Sequence, residues 1–292
     1  MLSWIVKGQE TSLEDWGLCH VIGDDGLGMA PFHRLSERGP MQNGVTDRGY
    51  RLDPRLIMLA IAINGDDLPD YYDKRVQLEN IFKPRNDPGI LKWTYNGETR
   101  YIEGYCVGGL EWDMAGREYT FHRAVISVQC PDPRWYDPQV KSVVFNLGGG
   151  GDAGKAVPFD VPFTIGASTL DVSQVITYAG SVRSYPTIRI TGPITSPVIT
   201  NILTGHKLDF TGTTIDAGDY IIIDLGYAEN TIIDQAGAYQ DGILTTDSDL
   251  TQFALLPDPD APGGTQTITA TGTAITSATS IRVTYYNYYI GR

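Results

Sequence analysis

The stretch LGGGGDAGKAVPFDVP, from Leu147 to Pro162, comes within one residue of the phosphate-cradling pattern G-x-x-x-x-G-K-[S/T]. Aligned on Gly149, it puts Gly154 and Lys155 in register. Ala156 then stands where a hydroxyl is needed for Mg²⁺. A phosphate loop must also run straight into a helix whose first amides hold the anion. Pro158 and Pro162 oppose a helix there, and they push the residues before them toward extended backbone. A glycine-rich linker is the better reading.

Metal and acid–base chemistry fare no better. The four histidines, His20, His33, His122 and His206, are scattered, and Cys19-His20 would face opposite sides of a strand. No Cys-x-x-Cys or His-x-x-x-His pair exists, so no metal site is expected. The carboxylate pairs Asp24-Asp25, Asp66-Asp67, Asp247 with Asp249, and Asp258 with Asp260 lie beside Gly, Pro or Ser, where turns use them. None has the spacing of a twelve-residue calcium loop. A glycosidase can be built from distant carboxylates, but no nucleophile, base and orienter stand out. The expectation is a protein that is not an enzyme and carries no cofactor. The one dense aromatic group is Tyr285-Tyr286-Asn287-Tyr288-Tyr289. In a strand, Tyr286 and Tyr288 face one way and Tyr285 with Tyr289 the other. Core or interface packing is the first reading for them, glycan stacking the second.

The elements that would position these residues are mostly strands. The chain has 292 residues, room for two domains, and its composition changes midway. All five tryptophans and 16 of the 22 Lys and Arg lie in residues 1–141. The expected organisation is residues 1–145 as one domain, 146–156 as a glycine-rich linker, and 157–292 as a second domain. In the first, Arg55 to Ile63 reads as a strand buried on both faces. A helix is predicted from Pro69 to Phe82, with Asp70 and Asp73 at its positive end and Tyr71, Leu78, Ile81 and Phe82 on its apolar side. Asn96-Gly97 predicts a two-residue hairpin between Leu91–Thr94 and Arg100–Ile102, and Tyr119 to Gln129 a further strand. In the second, strands at 187–190, 208–210, 220–224, 267–270 and 281–285 alternate with Gly, Pro and Asp turns and predict a β-sandwich.

Bulk properties limit the partners. A net charge of -13 opposes any standing grip on nucleic-acid phosphates. The longest apolar run, Leu56 to Ile63, is far short of a membrane span, and MLSWIVKGQE lacks the pattern of a secretory signal. Three widely spaced cysteines, Cys19, Cys106 and Cys130, predict free buried thiols from a reducing compartment.

One run, Val128-Gln129-Cys130-Pro131-Asp132-Pro133-Arg134-Trp135-Tyr136-Asp137, ends a strand in an aromatic "DP-x-W/Y" corner just before the glycine tract. It resembles the distal tail proteins of long-tailed bacteriophages. Pro54-Arg55-Leu56-Ile57-Met58-Leu59 is similar to that family's "PR-hydrophobic" strand. The helix, Phe159–Phe163 and Tyr185–Gly192 follow in the family's order. The resemblance implies an N-terminal domain like tail-tube subunits, a β-sandwich or split barrel with one helix, followed by a galectin-like β-sandwich. It implies a structural virion protein, a hexameric ring of identical copies at the tail tip, around the DNA channel. Its partners would be the tail tube protein and the tail-tip hub, with receptor-binding or fibre proteins beyond. It would be made in the host cytoplasm and would neither insert into membrane nor bind DNA specifically. A tail-tube subunit, a carbohydrate-binding adhesin (on Tyr286 or Tyr288) and a glycan hydrolase are the rival readings. Within this frame the long polar segment from Gly23 to Arg51 is expected to extend as a loop or hairpin into inter-subunit or tube contacts. Arg34, Arg38, Arg48 and Arg51 would pair across that interface.

Overall fold

The computed structural model describes residues 1–113, 118–146, 170–226, 229–240 and 242–292, and it is mainly β with one α-helix among them. The chain divides into two compact units, Met1–Pro138 with Tyr288–Arg292, and Gln139–Asn287.

In the first unit the main sheet runs Gln9–Ser12, Leu2–Val6, Gly89–Tyr95, Glu98–Trp112, Phe121–Cys130, Arg55–Asn64, Cys19–Asp25 and Glu14–Asp15, each antiparallel to its neighbour. The long strand Glu98–Trp112 serves two partners. Its first half pairs with Gly89–Tyr95 and its second, from Tyr105, with Phe121–Cys130. Gly104 stands at the switch, where a Cβ would lie 2.6 Å from Val128 Cγ1. The Asn96-Gly97 turn forms as predicted, with both residues at positive φ (51° and 83°), the geometry whose twist matches the flanking strands.

The strand Arg55–Asn64 is central but not buried on both faces. Arg55, Ile57, Leu59, Ile61 and Ile63 enter the core, while on the other face Leu56 and Met58 are exposed and only Ala62, near the strand's end, is buried. The helix spans Leu68–Phe82. Asp67 caps it by accepting a hydrogen bond from Asp70 N at 2.9 Å, and Tyr71, Leu78 and Phe82 are its buried residues. Tyr71 reaches His122, a buried histidine with both nitrogens engaged: Nδ1 with Tyr71 Oη at 2.8 Å and Nε2 with Asp113 O at 2.9 Å. Its role is structural.

The second unit is a β-sandwich of two five-stranded sheets. One runs Lys141–Asn146, Ser280–Tyr285, Thr187–Thr191, Tyr220–Asp224, Thr231–Asp234. The other runs Leu170–Thr177, Thr265–Thr273, Ile194–Asn201, Lys207–Asp209, with Thr214–Ile215 also on Ile194–Asn201. Ile188, Ile190, Ile223, Ile281 and Val283 from the first sheet meet Ile176, Ile199, Leu208 and Ile268 from the second in one apolar core. The strand Lys141–Asn146 sits here because it pairs along Ser280–Tyr285, from Lys141 opposite Tyr285 to Asn146 opposite Ser280. The glycine tract that follows it, with the phosphate-loop-like pattern and Phe159–Phe163, lies outside the described residues.

Candidate assembly arm and its root

Between Pro31 and Asp53 the chain leaves the sheet as a two-stranded hairpin, Phe32–Glu37 against Thr46–Leu52. Its register runs from Phe32 opposite Leu52 to Glu37 opposite Thr46. One irregularity sets two residues, Arg48 and Gly49, against Leu35. Gly49 has φ +103°, so the bulge falls where glycine is available. The tip is closed by Gln42: its Oε1 accepts from Gly39 N at 2.9 Å and its Nε2 donates to Thr46 Oγ1 at 2.9 Å.

Among the described residues, none outside the hairpin covers it. Every residue of Phe32–Glu37 is exposed, and on the other strand only Gly49 and Leu52 are partly covered. Phe32, Leu35, Met41, Val45 and Tyr50 present apolar surface to solvent. The arm holds four arginines against two carboxylates, Glu37 and Asp47, within a strongly acidic chain. Arg34 pairs with Asp47, Arg48 with Glu37 at 2.7 Å, and Arg51 with Asp53 at 3.4 Å; Arg38 Nε donates to Gln42 O at 3.2 Å. Exposed pairs of this kind contribute roughly 0–1 kcal/mol each. A lone two-stranded hairpin is marginal in water, so these contacts shape the arm more than they hold it.

The arm is held at its root. Arg55 is 1% exposed and has no carboxylate within 4 Å among the described residues. Its guanidinium instead donates to four backbone carbonyls: Nε to Pro133 at 3.1 Å, Nη1 to Gly26 at 2.9 Å and Gly28 at 2.7 Å, and Nη2 to Ile290 at 2.7 Å. The Trp135 ring lies 5.9 Å from Cζ. Burial lowers the Arg55 pKa from its ordinary value. One side chain therefore ties the segment leading into the arm, the DP corner and the C-terminal strap together. Gly26 must be glycine, since its φ is +81° and a Cβ would lie 2.1 Å from Leu56 O.

The strap is Tyr288–Arg292. Tyr288 and Tyr289 pair with Tyr136 and Trp135, and Ile290 O also accepts from Ala30 N at 2.8 Å. Arg134 Cζ lies 4.2 Å from the Tyr288 ring centroid, Arg100 Cζ 3.9 Å from that of Tyr289. Arg100 Nη1 donates to Gly291 O at 3.0 Å, and Arg292 pairs with Asp24 at 3.2 Å. The tyrosine run is thus not one alternating strand. Tyr285 ends a strand in the second core, Ser184 Oγ donates to Tyr286 O at 2.9 Å, and Tyr288 belongs to the first unit. The break falls at Asn287, buried with its Oδ1 accepting from Ala179 N.

Burial, reinforced by Asp137, pushes the Tyr289 phenol up to about 12, and its hydroxyl donates to Asp137 Oδ2 at 3.2 Å. A folded pKa raised above the ordinary value near 10 gives stability that is complete below pH 10 and lost as pH rises toward 12. Tyr289→Phe is expected to reduce the fall in stability between pH 10 and 12 relative to the parent chain. Denaturant midpoints across that range check it. An unchanged slope would show that the strap does not respond to this proton. Burial likewise pushes the Cys19 and Cys130 thiols up to about 12 and Cys106 to about 11, so the three free cysteines are held protonated. Among the described residues no three His, Cys, Asp or Glu are arranged to hold a metal ion, and no helix is long and apolar enough to cross a membrane.

The arm, the central strand, the helix and the strand before the DP corner all fall in one stretch that matches a known family. Residues 27–130 match the model of the phage tail protein RIFT-related domain. Among solved structures, the Dit protein of phage SPP1, described as "a Paradigm of Hub Adsorption Apparatus in Gram-positive Infecting Phages", is 14% identical and superposes with a TM-score of 0.64 over 99% of each chain. Two structures of the phage P2 baseplate in its activated conformation, with calcium and with strontium, are 10% identical over 97% of this chain and 98% of theirs, with a TM-score of 0.46. No curated protein sequence matches. The chain thus shares its fold with that Dit protein over nearly its whole length, in keeping with the sequence resemblance. That resemblance singled out the PR and DP motifs, and the structure joins them through Arg55 and Pro133. The part of the root that sequence reasoning missed is the strap, because Tyr288–Arg292 is far from both motifs in the chain.

Proposed function

We propose that this chain is a structural protein of the phage tail tip whose copies, six in number, close into a ring around the DNA channel. In that ring it joins the tail tube protein to the tail-tip hub, with receptor-binding or fibre proteins as further neighbours. The observation that carries this reading is the arm inside the stretch that matches the tail-protein domain, with both faces and both strand edges unpartnered among the described residues. Free strand edges pair readily with another chain. A closed ring needs such a contact, one surface of each copy received by a different surface of the next. In the ring Arg34, Arg38, Arg48 and Arg51 exchange their exposed partners for carboxylates of the adjoining copy, in a chain with a net charge of -13. The same acidity suits a channel that does not retain DNA. The chain turns over no substrate.

Charge reversal at two arm positions, Arg48→Glu with Arg51→Glu, tests the reading. The in-chain pairs lost are exposed, so the fold should survive with its tryptophan fluorescence unchanged. Self-association measured by sedimentation should weaken at least tenfold. Association equal to that of the parent chain would remove the arm from the interface.

A further inference from the structure

On the outer face of the sandwich's first sheet, the register sets two arginines side by side, Arg282 directly opposite Arg189. Both are exposed, and neither has a carboxylate within 4 Å among the described residues. Cross-strand partners stand roughly 5 Å apart at Cβ, and like charges so placed destabilise a sheet. Arg189 Cζ lies 3.8 Å from the Tyr220 ring centroid, so stacking holds that guanidinium in place. Asp224, on the same face and opposite Thr187, is engaged by its own turn, its Oδ1 accepting from Gly226 N at 2.8 Å. In a chain with a net charge of -13, two cations abreast without counter-charge mark a surface that the chain does not complete by itself.

The row that holds the pair is apolar at both ends. Val144 lies opposite Arg282 on its other side, and Ile222 lies opposite Arg189, followed by Ile233 and by Tyr239, which is 70% exposed. Across the strands the face therefore reads apolar, basic, basic, apolar. Such flanks suit a protein segment better than a phosphate polymer, which would bring polar groups to every position. Tyr220, the aromatic beside the pair, carries Arg189 over its ring, where a sugar would have to stack.

We propose that this face is a docking surface for a neighbouring protein, a segment of which sets two carboxylates against Arg189 and Arg282 and apolar side chains against Val144, Ile222 and Ile233. Each guanidinium fork can take a carboxylate through two parallel hydrogen bonds, so two forks abreast select a pair of acids. Apolar contacts at both ends keep water from the pairs and raise their worth. The surface belongs to the second unit and stands whether or not the arm is an interface.

The backbone amide signals of Arg189, Ile222 and Arg282 in the full-length chain, followed by ¹H–¹⁵N correlation, read the surface. The probe is the blocked peptide Leu-Ser-Glu-Ser-Glu-Ser-Leu, whose leucines and glutamates share one side when extended, titrated at constant ionic strength. Saturable movement of the three signals is the expected result, while the same peptide with glutamine for glutamate leaves them unmoved. Arg189→Gln and Arg282→Gln should each weaken the apparent affinity several-fold, and the two together should abolish binding. Both side chains are exposed, so the double variant should keep the parent's spectrum outside this face. Equal movement with the glutamine peptide, or no movement with either, would overturn the proposal. Tighter saturation of the same signals by tripolyphosphate would overturn it in favour of a phosphate polymer. Movement of these signals with rising concentration of the chain alone would overturn it in favour of a second copy.

Discussion

Replacing Arg55 by methionine is expected to lower the stability of the first unit by about 3–5 kcal/mol. Methionine fills much of the volume but leaves the carbonyls of Pro133, Gly26 and Gly28 without the Arg55 donor and removes one donor from Ile290. All five tryptophans lie in this unit, so fluorescence-detected unfolding in denaturant reads it apart from the sandwich. Arg55→Lys makes the argument specific. It keeps the charge, but one ammonium cannot span carbonyls that a planar fork reaches in several directions. It should recover less than half of the loss. A cost below about 1 kcal/mol for Arg55→Met would mean that the four carbonyls find water or other donors, and the root would no longer rest on this residue.

Removing Tyr288–Arg292 should cost the same unit about 4 kcal/mol. The five residues contribute a short strand pairing, the two arginine–tyrosine contacts, the acceptors of Arg55, Arg100 and Ala30, and the Arg292 ion pair. The combination with Arg55→Met is more informative than either change alone. Because Nη2 of Arg55 binds Ile290 O, the two losses overlap, and the double variant should fall short of their sum by at least about 1 kcal/mol. Strict additivity would show that strap and arginine act independently.

The elements were largely legible from local pattern. The Asn96-Gly97 turn, the helix ending at Phe82 and the expected sandwich strands each depend on a few neighbouring residues, and each formed within three residues of its expected bounds. What sequence could not supply was pairing at long range. Arg55 opens an apolar run and looks like a strand end, yet its partners come from residues 26, 28, 133 and 290. Lys141–Asn146 reads the same in either unit until its register with Ser280–Tyr285 assigns it. Leu56 and Met58 look like core residues, since an exposed apolar face and a buried one have the same composition. The arm's length was visible as an uncommonly long polar segment. Its two-stranded form, with three of its four arginines in ion pairs within its own chain, was not.

Mass measurement combined with electron microscopy of the purified full-length chain tests the central proposal most directly. A closed annulus, six times the 32.0 kDa of one copy, is the expected particle. Single copies at every concentration, still single when tail tube protein is added, would contradict it.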